Sequence, residues 1–475
     1  MPVTELRTRT ASAAGERALS GWGRVAPSTA KVSRPRTVEE IVNVLRCPPN
    51  RASGVIARGA GRSYGDAAQK AGGEVLDMTG WDQIRSIDRE RRLITAQAGA
   101  TIAQLLAALA QHGLTLPVVP GTSHVTLGGA IASDIHGKNH HRDGGLARYV
   151  VAMALCTPAR GCSEITAESD EELFYATLGG MGLTGVLTEA TLAVEELRSP
   201  RLAVDLDRTD GLEETLALMS EPESHRYSVA WLDLLARGAK LGRAIVTRAD
   251  HLPRGRGRRG IGGMPATRGG YADALARPRA LEVPRRFPAV LVRKTGVRAF
   301  NALRWHAGPR RERARPRALA PYLFPLDRLG EWHRLYGAGG LLQYQFVVPG
   351  GEEDAIARSV ELMRARRLPV YLAVFKRLGP AFGGPLSFPL AGWTLAVDVP
   401  AAAPGARATL DELDELLAGC GGRVYLTKDA RLRGDLLGAM YPQLDRFRAE
   451  RRRVDPDGVL GSDLSRRLGI DEAGG

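Results

Sequence analysis

The chain has 475 residues, more than one hydrophobic core organises, so the sequence predicts two domains. Hydrophobic residues make up 44% and charged residues 25%, the composition of a globular protein in water, and no apolar run reaches the length of about 18 residues that a membrane span needs. The formal charge of +14 is uneven: residues 251–320 hold 18 Arg and Lys against three acids, which leaves the rest of the chain near −1 and argues against a basic surface spread over the whole protein.

In chain order, the N-terminal stretch to Leu19 is polar and lacks the apolar centre of a signal peptide. Thr37-Val38-Glu39-Glu40 reads as a capping box opening a helix over Val38–Leu45. Gly54–Ala57 and Val75–Asp77 read as short strands on either side of a glycine loop. Leu93–Ala98 is predicted as a strand, and Thr101 as the cap of a helix Ile102–Gln111 that Gly113 stops. Tyr149–Thr157 and Cys162–Thr166 form a predicted hairpin, Ser169-Asp170-Glu171-Glu172 opens a helix ending at Gly179-Gly180, and Val186–Val194 is a strand. This is an α+β pattern with mixed sheets, not a regular βαβ series. Beyond Leu197 the segments lengthen and carry Trp231, Trp305, Trp332, Tyr336 and Trp393, marking a second domain. A helix Leu410–Ala418, a strand Arg423–Leu426, a basic helix over 442–453 and the turn Asp455-Pro456-Asp457-Gly458 complete the chain.

Four cysteines (Cys47, Cys156, Cys162, Cys420) without CxxC spacing read as reduced, buried side chains of a cytosolic protein. The basic region centres on Arg254-Gly255-Arg256-Gly257-Arg258-Arg259-Gly260. It has no accompanying aromatic or motif signal, so no specific nucleic acid is expected. An anionic membrane surface or a phosphate-bearing substrate fits it; nonspecific RNA contact and a solvated loop are the alternatives.

Chemistry concentrates between Arg58 and His141. Arg58-Gly59-Ala60-Gly61-Arg62-Ser63-Tyr64-Gly65-Asp66 follows the strand that ends at Ala57; Pro120-Gly121-Thr122, Thr126-Leu127-Gly128-Gly129-Ala130 and Ser133-Asp134-Ile135-His136 come after it. Glycine lets backbone N–H groups approach an anion closely, and a helix opening just after Gly128-Gly129 would aim further N–H groups at the same point. Together the clusters indicate a nucleotide cofactor. Gly180-Met181-Gly182-Leu183-Thr184-Gly185 matches GxGxxG, but a helix precedes it and a strand follows, the reverse of the dinucleotide fingerprint, so it reads as a tight turn near the cofactor. His136 and His140 stand at i and i+4, yet Gly137 and Asn139 make a poor helix and no second ligand cluster appears, so no metal is expected. His140 and His141 read as a solvated or locally hydrogen-bonded pair.

These motifs, with Gly21-Trp22-Gly23-Arg24, Gly330-Glu331-Trp332, Leu342-Gln343-Tyr344-Gln345-Phe346, Pro385-Leu386-Ser387-Phe388-Pro389, Lys428-Asp429 and Val454-Asp455-Pro456, run nearly end to end apart from a gap at about 250–300. The chain resembles the FAD-dependent oxidoreductases of the vanillyl-alcohol oxidase type, and within them the branch that oxidises polyprenylphosphoryl ribose. The resemblance implies a two-domain α+β fold: an FAD-binding domain over 1–197, a substrate-binding cap over 198–420 built on an antiparallel sheet, and a segment 421–475 returning to the FAD domain. It places FAD against Ala57–Asp66, Gly121, Thr126–Gly129, Ser133–His136, Leu187 and Tyr425. Relatives with histidine at the position of Arg62 bond it to the flavin. Arginine cannot form that bond, so the FAD is expected to be non-covalent, with Arg58 or Arg62 pairing the pyrophosphate, or else forming surface salt bridges.

Oxidation of a carbinol needs a base for the hydroxyl proton and positive charge beside the reduced ring. The resemblance makes Lys428 the cation, with pairing to Asp429 as the plain alternative. The base is left open among His136, Tyr64 and Lys428. Gln343 and Gln345 share one face of a predicted strand, suited to a sugar or to solvent, and Lys376 is placed to meet the substrate phosphate. The implied reaction oxidises the 2′-hydroxyl of polyprenylphosphoryl-β-D-ribose to a 2-keto sugar, which a separate NAD(P)H-dependent reductase would return as the arabinose donor. The implied location is cytoplasmic, peripheral at the inner face of the plasma membrane. An FAD-dependent oxidase of free sugars, alditols or aldonolactones is the alternative, and an inactive flavin fold that binds RNA or membrane is a third reading. The chain departs from the resembled pattern at Thr394 and Ala396, which stand where its members carry asparagine and an active-site cysteine, and at Leu323, Phe324 and His333. Reagents that trap that thiol are expected to leave the protein's intact mass unchanged.

Overall fold

Short apolar runs between glycine-rich loops build a small mixed sheet. In the computed structural model, which describes residues 15–220, 225–253, 281–284 and 292–471, strands Ser28–Ser33, Glu74–Asp77 and Val55–Arg58 pair in parallel and Gly15–Leu19 adds antiparallel. Parallel neighbours need a crossover, which helix Val38–Arg46 supplies. Thr37 caps it by accepting the Glu40 N–H at 3.2 Å, but the Glu40 carboxylate takes the Arg36 N–H instead of closing a full box. The complete box forms at Thr101 and Gln104, opening helix Ile102–Gln111.

A five-stranded antiparallel sheet follows, in the order Ile84–Asp88, Leu93–Gln97, Val186–Ala193, Val150–Thr157, Gly161–Ile165. Its last hairpin corrects the expectation of four reduced cysteines: Cys156 and Cys162 are direct cross-strand partners and form a disulfide, while Cys47 and Cys420 are free. The turn between the strands makes residues six apart face each other, a pairing that CxxC spacing does not anticipate.

The longer segments form an eight-stranded antiparallel sheet: Arg311–Ala318, Arg201–Thr209, Arg243–His251, Tyr227–Asp233, Leu372–Leu378, Gly392–Pro400, Leu341–Pro349, Arg423–Val424. Leu341–Pro349 and Gly392–Pro400 are buried on both faces for all but their last residue, which is why they read as nearly continuous apolar runs. The polar exceptions within them, Gln343, Gln345, Thr394 and Asp398, are the first sign of a site. At the far edge, Arg311–Ala318 exposes four arginines, a charged border that discourages edge-to-edge pairing. Within the basic region the described residues include this strand and helix Lys294–Ala307, while Arg254–Gly260, the stretch read as a solvated loop, lies outside the described residues. No helix among the described residues is long and apolar enough to cross a membrane.

The C-terminal residues pack on the first sheet. Leu460 bridges to Val55, the Asp463 carboxylate takes the Ala71 N–H at 2.8 Å, and Arg467 grips Asp66 through two bonds of 2.8 and 2.9 Å. Removing one partner of a largely buried pair of this kind costs about 3–5 kcal/mol.

Candidate active site

The glycine loop after strand Val55–Arg58 and the helix Leu127–Ala132 form two walls of one cavity that is partly open to solvent. Its lining includes Ala57 through Ser63, Thr126, Gly128, Gly129, Ser133, Ile135 and Leu187. The loop and the helix touch so closely that a Cβ on Gly59 would sit 2.1 Å from Thr126 Oγ1. Gly61 has φ +63°, and a Cβ there would meet the Arg58 guanidinium at 2.4 Å. Thr126 caps the helix by accepting the Gly129 N–H at 3.3 Å, so the helix opens at Leu127 and contains the glycine pair instead of starting after it. Apolar walls from Met78, Ala98, Met181 and Leu187, together with this backbone-lined cradle, fit the ring and pyrophosphate of FAD.

Two segments border the cavity and lead away from it. Ser133–His136 follows the helix, and Tyr425–Lys428 crosses it, with the Tyr425 hydroxyl donating to the Ser133 carbonyl at 2.7 Å and the Tyr64 N–H to the Thr427 carbonyl at 3.0 Å. His136 and Lys428 are thereby held against the buried polar residues of the large sheet. Gln345 Nε2 lies 2.9 Å from His136 Nε2 and 3.0 Å from Thr394 Oγ1. Gln343 Nε2 donates to Asp398 at 2.6 Å, and the Tyr336 hydroxyl lies 3.4 Å from the other Asp398 oxygen. The Lys428 ammonium stands 5.6 Å over the Tyr64 ring.

Burial sets the electrostatics. It lowers Lys376 to about 7, helped by the charges of Lys428 and Lys138, and lowers Lys138 to about 7. Lys428 falls to about 8 through burial, opposed by Asp398, whose own carboxyl burial raises to about 6. His136 is held well below its ordinary range by burial, then by Lys376, His140 and Lys428, so its ring is neutral. The Tyr64 hydroxyl is pushed well above its usual value by burial and Asp398, so it stays protonated.

Several expected cofactor residues also make contacts within the protein, Arg58 and Arg62 while lining the cavity. The Arg58 guanidinium donates to the carbonyls of Ala68 and Ser20 at 2.9 and 2.8 Å, tying the loop to the first sheet, and Arg62 stacks 3.9 Å over Trp22. Asp66 holds Arg467, and Gly65 packs so tightly on the Asp429 carbonyl that a Cβ would lie 1.7 Å away. Gly121 is exposed, beside Thr122, which docks on Asp327 at 2.6 Å. Leu127 is buried under its helix, and Asp134 accepts the Ala147 N–H at 3.1 Å and the Ser387 hydroxyl. His140 is not solvated: it is buried and accepts the Gly379 N–H at 3.0 Å, while His141 contacts the His225 carbonyl at 3.1 Å. Asp398, Thr394 as a hydrogen-bonding partner, Tyr336 and Lys138 join the site without having been expected there. Asp398 and Thr394 had a signal, since Thr394-Leu395-Ala396-Val397-Asp398 places both on one strand face. Met181, Gly182 and Gly185, from the turn that mimics a dinucleotide motif, line the cavity.

The comparisons agree with this geometry. The FAD binding domain family matches residues 29–163, the stretch that supplies the glycine loop and the capped helix. The chain is 40% identical over 473 residues to decaprenylphosphoryl-β-D-ribose oxidase of Mycolicibacterium smegmatis, covering 98% of this chain and 99% of that protein. It is 24% identical over 453 residues to L-gulono-1,4-lactone dehydrogenase of Mycobacterium tuberculosis, and 35% identical over 132 residues, 28% of this chain and 22% of that protein, to the mitochondrial L-galactono-1,4-lactone dehydrogenase 1 of Oryza sativa subsp. japonica. The full-length match together with the FAD cradle shows that this chain belongs to the decaprenylphosphoryl-β-D-ribose oxidase family of FAD-binding proteins.

Proposed function

We propose that the protein oxidises the 2′-hydroxyl of a polyprenylphosphoryl-β-D-ribose to the 2-keto sugar. The observation that carries this reading is the group of buried lysines, Lys138, Lys376 and Lys428, gathered with sugar-sized amides beside the FAD cradle. Bound FAD supplies the hydride acceptor. Lys376 and Lys138 suit the phosphate, whose charge relieves their mutual repulsion. With their Nε2 groups engaged by Asp398 and by His136 and Thr394, Gln343 and Gln345 offer their amide oxygens to the sugar hydroxyls, and Lys428 steadies negative charge. A reductase for the keto sugar and a peripheral place at an anionic membrane complete the proposal, the exposed arginines of the edge strand supporting the latter. The test is the product: borodeuteride quenching of a turnover mixture should put deuterium at C2 of the released sugar, and label at another carbon or none would refute the assignment.

The cofactor is proposed to be non-covalent, because Arg62 stands where a flavin-bonded histidine would be needed. Acid precipitation should leave the yellow colour in the supernatant. Colour retained in the pellet would contradict it.

The lysines also set a pH dependence. Lys376 has an affinity of about 7 when folded against 10.5 for an ordinary lysine, so between these values the unfolded chain binds more protons. Stability of the substrate-free protein therefore rises with pH across that window. Lys376→Met should flatten the rise and stabilise the protein at pH 7 by on the order of a few kcal/mol. Urea unfolding at neutral and alkaline pH checks this, and a variant of lower stability with an unchanged slope would contradict it.

A further inference from the structure

Thr394 has one hydroxyl proton, and its position is settled by its neighbours. Oγ1 lies 2.7 Å from the backbone carbonyl of Phe346, an atom that only accepts. Toward Gln345 the hydroxyl must therefore offer a lone pair, so the amide group 3.0 Å away is the NH₂. The same nitrogen lies 2.9 Å from His136 Nε2. An amide nitrogen only donates, which makes Nε2 the bare, accepting atom of the ring. Thr394, Gln345 and His136 are all buried, at 0, 1 and 7% exposure, so water does not compete for these bonds. A neutral ring with a bare Nε2 carries its proton on Nδ1, and Nδ1 is buried with no acceptor among the described residues.

We propose that Thr394 is a positioning residue that acts through Gln345 to hold His136 as the Nδ1–H tautomer, making His136 a hydrogen-bond donor to an acceptor atom of the bound cofactor or sugar. In that state His136 cannot take the substrate's hydroxyl proton, since Nδ1 is already protonated and Nε2 is engaged by Gln345. The set of bases therefore loses His136. The inference rests on three side chains and holds whichever alcohol is the substrate, so its failure and that of the proposed reaction are distinguishable.

The test is nitrogen NMR of the holoenzyme labelled with ¹⁵N-histidine, the His136 signals being those lost in His136→Gln. The parent protein at neutral pH should show a protonated Nδ1 and a bare Nε2. Thr394→Ser should keep this pattern, because serine retains the hydroxyl. Thr394→Val should let the Gln345 amide turn over and move proton density to Nε2. Gln345→Glu, which replaces the donor by an acceptor, should protonate Nε2 outright. A protonated Nε2 in the parent overturns the proposal, as does an unchanged tautomer in Thr394→Val. If the valine variant does not fold, the parent and Gln345→Glu spectra decide: a bare Nε2 in the latter overturns it.

Discussion

Lys428→Met should lower kcat by about a thousandfold while changing KM much less, the loss expected when a preorganised charge is removed from a dry site. Lys428 lies in the turn Leu426–Lys428, which is fixed by the Tyr64 N–H to Thr427 carbonyl bond of 3.0 Å, and its ammonium sits 5.6 Å over the Tyr64 ring. Burial, opposed by Asp398, has already lowered its proton affinity to about 8, so its charge is poorly hydrated and acts strongly on negative charge that develops beside it. Methionine keeps the length and apolar stem of the side chain, so the fold should survive. The potential of the bound flavin should fall in the variant, because the reduced ring loses a neighbouring cation. Activity within threefold of the parent and an unshifted potential would place Lys428 outside the reaction, as a structural residue.

Gly59→Ala should abolish FAD binding while leaving the protein folded. A Cβ there lies 2.1 Å from Thr126 Oγ1 and 3.2 Å from its Cβ, so the loop and the helix cap cannot both keep their places. The cost to the apoprotein is about 1 kcal/mol, that of a lost N-cap. The cofactor suffers more, because both walls of its cradle shift. Thr126→Gly in the same chain removes every clashing atom and leaves a tolerable cap. The double variant should therefore regain flavin that the single variant lacks. The ratio of flavin to protein absorbance measures this; full flavin content in Gly59→Ala would show that the loop does not carry the cofactor.

The parts of this architecture that local rules govern were legible from the residues. Thr101 as the cap of helix Ile102–Gln111 and the helix-to-strand order around Gly180–Gly185 each announce an element within a few residues. Lys428 and the Gln343/Gln345 face were reached by motif and by strand periodicity, and the structure places both glutamines in the buried interior. What stayed hidden depends on pairing across long sequence distances. Arg58 belongs to a phosphate-like loop in sequence, but tertiary contact turns its guanidinium toward the carbonyls of Ser20 and Ala68. Asp66 looks like a cofactor ligand until Arg467, some 400 residues later, takes both its oxygens. The Cys156–Cys162 disulfide follows from hairpin register. Asp398 shares a strand face with Thr394 in the sequence, but its partner Gln343 follows only from the register.

The central claim, that the buried lysines and amides accept a phosphorylated prenyl sugar, is tested most directly by anaerobic titration of the yellow protein with a short-chain prenylphosphoryl ribose, with free ribose and an alditol alongside. Bleaching of the oxidised flavin band by the prenylphosphoryl sugar alone is the predicted result. Bleaching by the free sugar or the alditol at similar concentration would contradict it and assign the site to unphosphorylated alcohols.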